Sequence, residues 1–244
     1  MRRVKRMPLP PTALAYLNKM QKHINQKMVD GSCNTTTIWK SSRKNMVEVI
    51  SVLRLMTGKR ERCMYCLDSD GTDIEHFRPK AKFPKRMFRW RNLLLCCSKC
   101  NSKKDDKFPM QGNRPLLIDP SKEEPWRYLD FDPDTGNIIA RFDLKTNAYF
   151  LKGEKTVEVL QLDRREALAA GYIKTYRRLS NKFQRFLNEP NQSADKLIAE
   201  LQEADDHGLL GWCFIGTGQN EAPFKEIKQK NPLFWQYCLT TFGY

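Results

Sequence analysis

What the chain lacks narrows its function first. Histidine occurs only three times in 244 residues, at 23, 76 and 207, so any imidazole chemistry must rest on one of three positions. No apolar run approaches the roughly 18 residues that cross a bilayer as a helix, which excludes a helical membrane span. The basic opening, residues 1–6, is followed by Pro8, Pro10 and Pro11 where a secretion signal needs an apolar stretch. A cytoplasmic protein is therefore expected. Internal repeats and low-complexity tracts are absent. The 40% hydrophobic and 11% aromatic content is enough to bury a core, so wholesale disorder is excluded.

Acidic residues are scarce in one half. Residues 1–109 carry 25 Lys+Arg against 9 Asp+Glu, a balance of +16, while residues 110–244 carry 18 against 19, a balance of −1. The whole positive excess of this chain thus lies N-terminally. Lys and Arg gain most by displacing counterions from a polyphosphate, so a nucleic-acid partner is the natural reading. A basic face with no partner is the blander one.

Helical periodicity appears over residues 12–28 and again from Thr37 to Met56, where Trp39, Met46, Val49, Ile50, Leu53 and Met56 recur at steps of mostly three and four. Gly58 stops the second run. The Asp134-Thr-Gly136-Asn cluster between two β-prone runs marks a hairpin. Further helices are expected over Asn147–Leu162, over Asp163–Asn188 with Asp163 as N-cap, and over Ser193–His207, with Pro190 and Gly208 as punctuation. The aromatic tail from Gly211 to Tyr244 resists assignment.

Four of the eight cysteines form two C-x-x-C pairs, Cys63/Cys66 and Cys97/Cys100. Each pair sets two thiolates on one side of a tight knuckle, and two pairs complete a closed tetrahedral Zn²⁺ shell. Such a zinc holds structure and has no open position for catalysis. Cys96 sits beside Cys97 but out of step with the pairs, and Cys33, Cys213 and Cys238 read as small core residues.

Between and after the cysteines lies a second constellation: Glu75-His76, Asn92, and Asn101 with Asp105. An imidazole with a pKa near 6.5 suits a general base at neutral pH. Asn101 and Asp105 are four apart on an expected helix and share a face. With Glu75 they make an all-oxygen set that suits Mg²⁺ or Mn²⁺ better than zinc. Phosphodiester hydrolysis needs both a base for water and a cation for the developing charge. On a regular strand Glu75 and His76 would face opposite ways, so this site calls for a strand end or kink. His23, on a polar helical position, and His207, before Gly208 at a helix end, are expected to be non-catalytic.

From Arg78 to Arg91 there is no acidic residue. Arg78, Lys80, Lys82, Lys85, Arg86, Arg89 and Arg91 form an expected phosphate-gripping surface, extended by Lys99, Lys103 and Lys104. The interleaved Phe83, Phe88 and Trp90 read as core more than as stacking platforms.

The order His76, Asn92-Leu, then Asn101 inside C-x-x-C-N-x-x-K resembles the HNH endonuclease motif. Ile74-Glu-His-Phe-Arg-Pro-Lys80, Trp90-x-Asn92-Leu, Cys97-x-x-Cys100-Asn101, Phe108-Pro109 and Leu117-Ile-Asp-Pro120 together are similar to the PtuB nuclease family of Septu antiphage systems and to retron-associated HNH proteins. The resemblance implies an α+β fold: a mainly helical chain with a zinc-stapled ββα-metal module and a small β-hairpin. On that basis residues 1–58 are a helical lead-in, 59–113 the nuclease module, and 114–244 a hairpin plus helical region for partner docking.

In that family the residue before the histidine and the one after the second C-x-x-C hold the catalytic ion, which carries over to Glu75 and Asn101. Asp105 is a third candidate ligand, in competition with Asp106, and Asn92 matches the asparagine that braces the loop and orients the histidine. The resemblance implies cleavage of phage or host nucleic acid, DNA favoured and RNA or tRNA open, alongside an ABC/SMC-like ATPase of the PtuA type. The rivals are a non-catalytic zinc module that binds nucleic acid, and an adaptor that mainly docks the ATPase.

Overall fold

The computed structural model describes residues 1–189 and 193–243, and the expected stop at Pro190 lies outside them. The fold is mainly helical with small antiparallel strand pairs, and it divides into two compact units. One comprises Arg3–Tyr65 and Ser69–Glu123; the other comprises Met1–Arg2, Cys66–Asp68 and Glu124–Tyr244. Among the described residues no helix is long and apolar enough to cross a membrane.

In the first unit, α1 (Pro11–Val29) opens on a proline at its first position, where the missing N–H costs nothing. The single helix expected over Thr37–Met56 is two: α2 (Thr35–Ser42) and α3 (Val47–Thr57), separated by a 3₁₀ turn at Arg43–Asn45. Apolar periodicity runs through the break, but the polar residues between decide it. The hydroxyls of Ser41 and Ser42 both donate to the Ile38 carbonyl, a local bonding pattern that competes with the helical ladder.

Strands β1 (Asp73–His76) and β2 (Leu93–Cys96) pair antiparallel, with His76 opposite Leu93, and α4 (Ser98–Lys104) follows directly. This is the expected ββα arrangement. All four β2 residues are buried, which accounts for the uninterrupted Leu-Leu-Leu-Cys run. A short pair, β3 (Met110–Gln111) with β4 (Arg114–Pro115), completes the strands of this unit.

In the second unit β5 (Leu129–Phe131) and β6 (Ile138–Ala140) form the hairpin read from Asp134-Thr-Gly136-Asn. Gly136 has φ +77° and packs so closely on the Ala169 carbonyl and Ile173 that a Cβ would clash. A second hairpin, β7 (Phe142–Asp143) with β8 (Ala148–Tyr149), occupies the place expected for the start of a helix. Asn147 is left-handed there at φ +51°, so α5 begins only at Leu151 and runs to Leu160. Helix α6 (Glu166–Asn188) starts after Arg165, two residues later than the Asp163 cap would place it.

Helix α7 (Ala194–Ala204) ends short of His207 because Asp205 turns its carboxylate to the amides of Leu209 and Leu210, starting α8 (Leu209–Ile215). His207 is buried and bonds the Thr175 hydroxyl through Nδ1 at 2.8 Å, so it is packed in the core and does not cap a surface helix. The aromatic tail resolves into α9 (Phe224–Lys230) and α10 (Pro232–Phe242), with Trp212, Phe214, Phe224 and Trp235 in a buried ring cluster.

Candidate active site and zinc cluster

The metal-ligating atoms of Cys63, Cys66, Cys97 and Cys100 all lie within 4.8 Å of one another, and all four residues are buried. Thiolates bound at about 2.3 Å around one zinc sit roughly 3.8 Å apart, so the cluster suits a closed tetrahedral site. Local structure explains the placement. The first pair follows an isolated bridge between Arg62 and Asp70, and the second straddles the junction where β2 becomes α4. Cys97 caps that helix, its sulfur accepting the Cys100 amide at 3.4 Å. Cys96 is buried beside the group, with its sulfur 3.9 Å from that of Cys63. Burial pushes its thiol well above the ordinary range, so it stays protonated.

His76 ends β1, and its ring is almost wholly buried against Trp39, with centroids 4.3 Å apart at 69°. Nε2 lies 3.1 Å from the Met87 carbonyl. A carbonyl only accepts, so Nε2 carries the proton and Nδ1 keeps the lone pair. Burial lowers the imidazole pKa to about 3, with the charges of Lys80 and Lys104 acting in the same direction and the Met87 carbonyl opposing. The ring is therefore neutral at physiological pH.

Glu75 takes a different partner. Its Oε1 is 2.5 Å from Lys104 Nζ, and the same ammonium donates to the His76 carbonyl at 2.8 Å. Lys104 has no exposed surface and the Glu75 side chain is 7% exposed. Burial pushes the Glu75 carboxyl above its ordinary value, while Lys104 pulls it back. Lys104, expected among the phosphate-gripping residues, thus lies inside the ββα module as the counter-charge of Glu75. A carboxylate 29 residues away has drawn the ammonium inward.

Asn92 braces the loop between the strands. Its Oδ1 accepts the Arg78 amide at 2.8 Å, and its Nδ2 donates to the carbonyls of Arg78 and Arg86 at 3.0 Å each. The loop so held presents Met87, whose carbonyl takes the His76 ring. Gln21 of α1 adds a second clamp, bonding the Phe88 amide and the Pro84 carbonyl.

Asn101 is half-buried, three residues before Lys104 and so on the same side of α4. Asp105 terminates the helix at φ +42° and is exposed, while Asp106 pairs with Lys82 at 3.0 Å. The donor types at 75, 101 and 105 suit a hard ion. The charge balance does not, because the one buried carboxylate among them is already met by an ammonium.

Of the expected phosphate-facing residues, Lys82, Lys85, Arg86, Arg89, Arg91 and Lys99 are exposed, and Arg78, Lys80 and Lys103 are half-buried. Arg78 stacks over Phe83 and Phe108. Phe88 is core, and Trp90 is covered by Arg6 at 4.7 Å. A groove of about 880 Å³ runs between α1 and the segment Lys82–Arg91.

Sequence reading missed Trp39, Met87 and the inward turn of Lys104. Met87 acts through its backbone and leaves no side-chain signal. Lys104 could have been suspected, because it stands one turn after Asn101 on the face that must pack against β1.

Residues 63–107 match the HNH endonuclease family. The chain is 31% identical over 196 residues to the Septu protein PtuB of Bacillus thuringiensis, covering 72% of this chain and 71% of the relative. It is 32% identical over 136 residues to the Septu protein PtuB of Bacillus mycoides strain KBAB4, covering 43% and 44%. A weaker likeness, 26% over 138 residues, links 46% of the chain to 18% of the Septu protein PtuA of that strain. Since the HNH match coincides with the ββα module and its four cysteines, and the likeness to PtuB reaches well beyond it, the chain belongs to the PtuB family of Septu proteins.

Proposed function

We propose that this protein is a metal-dependent endonuclease of antiphage defence that hydrolyses nucleic-acid phosphodiester bonds, with DNA as the favoured substrate. The observation that carries the reading is the state of His76. Its Nε2 proton is committed to the Met87 carbonyl and Nδ1 retains a lone pair, inside the segment that matches HNH endonucleases. That nitrogen is the base for the attacking water. A divalent ion, when bound, neutralises charge on the phosphate and leaving oxygen. Glu75, Asn101 and Asp105 are its proposed holders. Asn92 acts one step removed, by fixing the loop that orients His76.

The exposed cations at 82–91 and 99 grip the phosphate backbone without reading bases. The four-cysteine zinc holds the ends of β2 and α4 together and stays out of the chemistry. An ABC/SMC-like ATPase is the proposed partner, supported by the family's place in Septu systems and by the likeness to a PtuA protein.

Plasmid nicking with Mg²⁺ or Mn²⁺, against EDTA and against His76→Ala, tests the reading, with and without the ATPase. Ion-dependent nicking that His76→Ala abolishes is expected. Nicking retained by that variant, or none from the wild type under any of these conditions, would leave the non-catalytic zinc module standing instead.

A further inference from the structure

The Glu75 carboxylate is in direct contact with a cation, its Oε1 lying 2.5 Å from Lys104 Nζ. Of the other proposed ligands, Asn101 is neutral, and the Asp105 carboxylate is exposed at the end of α4, outside the buried pair. A divalent cation entering here meets a carboxylate already compensated by an ammonium with no exposed surface. In a poorly screened interior two cations sharing one carboxylate repel strongly, so ion binding requires either that Lys104 leave or that another anion arrive. Lys104 does not leave easily, since its Nζ bonds both Glu75 Oε1 and the His76 carbonyl. The anion available to a nuclease is the phosphate of its substrate, which brings one negative charge per nucleotide.

We infer that the Glu75–Lys104 pair keeps the site from loading a divalent ion by itself, so that the ion binds together with a nucleic-acid phosphate. This inference rests on the nuclease reading and deepens it. Lys104 is a positioning residue that sets the charge of the site, and it also holds the His76 peptide at the end of β1. A free ion pool then leaves the enzyme unloaded, and the substrate backbone itself completes the ion's shell.

The test uses the full chain with its zinc in place and follows free Mn²⁺ by electron paramagnetic resonance, with no turnover involved. A short phosphorothioate-substituted oligonucleotide, resistant to cleavage, supplies the phosphate. Wild-type protein is expected to bind Mn²⁺ at least about tenfold more tightly with the oligonucleotide than without it, after subtracting binding by the oligonucleotide alone. Lys104→Met should bind Mn²⁺ about tenfold more tightly than wild type in the absence of oligonucleotide and gain little from adding it. The wild-type comparison needs no variant, so it stands even if Lys104→Met fails to fold. Equal Mn²⁺ affinity with and without oligonucleotide overturns the inference. Glu75→Gln separates the two levels: if it leaves oligonucleotide-dependent Mn²⁺ binding unchanged, Glu75 is not a ligand and the metal assignment itself fails.

Discussion

Lys104 Nζ lies 2.5 Å from Glu75 Oε1 with neither side chain more than 7% exposed, and this pair joins α4 to β1. Breaking one side of a buried pair leaves a bare charge, which typically costs about 3–5 kcal/mol. Lys104→Met should therefore destabilise the protein by that order in urea denaturation. Adding Glu75→Gln to it should restore part of the loss, a coupling that a double-mutant cycle reads directly. Additive losses would show that the ion pair carries no energy of its own.

Asn92 makes three hydrogen bonds across the loop that carries Met87. Asn92→Ala strands one amide and two carbonyls, at about 1–3 kcal/mol for a buried group left unpaired. Faster hydrogen exchange at Arg78 and loss of nicking are expected, with Mn²⁺ binding retained. A variant with normal exchange and normal nicking would remove Asn92 from the site's support.

The zinc cluster predicts one zinc per chain by elemental analysis. Cys63→Ser or Cys100→Ser should lose that zinc together with cooperative unfolding, because the metal's binding energy is part of the folding energy of the module. Cys96→Ser should keep its zinc, since Cys96 lies outside the four-sulfur group. Loss of zinc from Cys96→Ser alone would reassign the fourth ligand.

The folded-state pKa of His76, lowered to about 3 from 6.5, makes stability depend on pH in a defined window. Between these values the unfolded chain binds the proton and the folded chain does not. Stability contributed by the neutral ring is thus fully present above pH 6.5 and is lost as pH falls towards 3. At about 1.4 kcal/mol per pH unit the loss reaches up to about 5 kcal/mol. His76→Gln should flatten the acid side of the stability profile. An unchanged profile would mean that the ring titrates normally when folded.

Lys85, Arg86 and Arg89 are exposed and close in sequence. Reversing all three to glutamate should weaken binding to DNA of any sequence and reduce the salt slope by about 0.9 for each phosphate that is no longer neutralised. Thermal stability should hardly change, because no hydrogen bond of the fold uses these side chains among the described residues. Unaltered DNA affinity would place the nucleic-acid surface elsewhere.

Much of this was legible beforehand where chemistry is local. C-x-x-C spacing dictates a knuckle, so the Cys63/Cys66 and Cys97/Cys100 pairs could be read as one zinc site. The Asp134-Thr-Gly136 cluster dictates a tight turn, so the β5–β6 hairpin was evident. Helix boundaries were less so. The split at Arg43–Asn45 and the left-handed Asn147 depend on whether polar side chains and backbone bond locally or continue a helix. Apolar periodicity does not register that choice.

By itself the sequence determined the thiolate pairs, the histidine and asparagines at HNH spacing, and a positive excess confined to residues 1–109, since covalent spacing and charge survive in any conformation. Only the tertiary structure decided which cations face solvent and which face inward. Lys103 and Lys104 are adjacent and chemically identical, yet α4 turns one partly to the surface and the other wholly onto a carboxylate of β1. A helix rotates successive side chains by about 100°, and only the packing of its inner face selects the lysine that becomes a buried counter-charge.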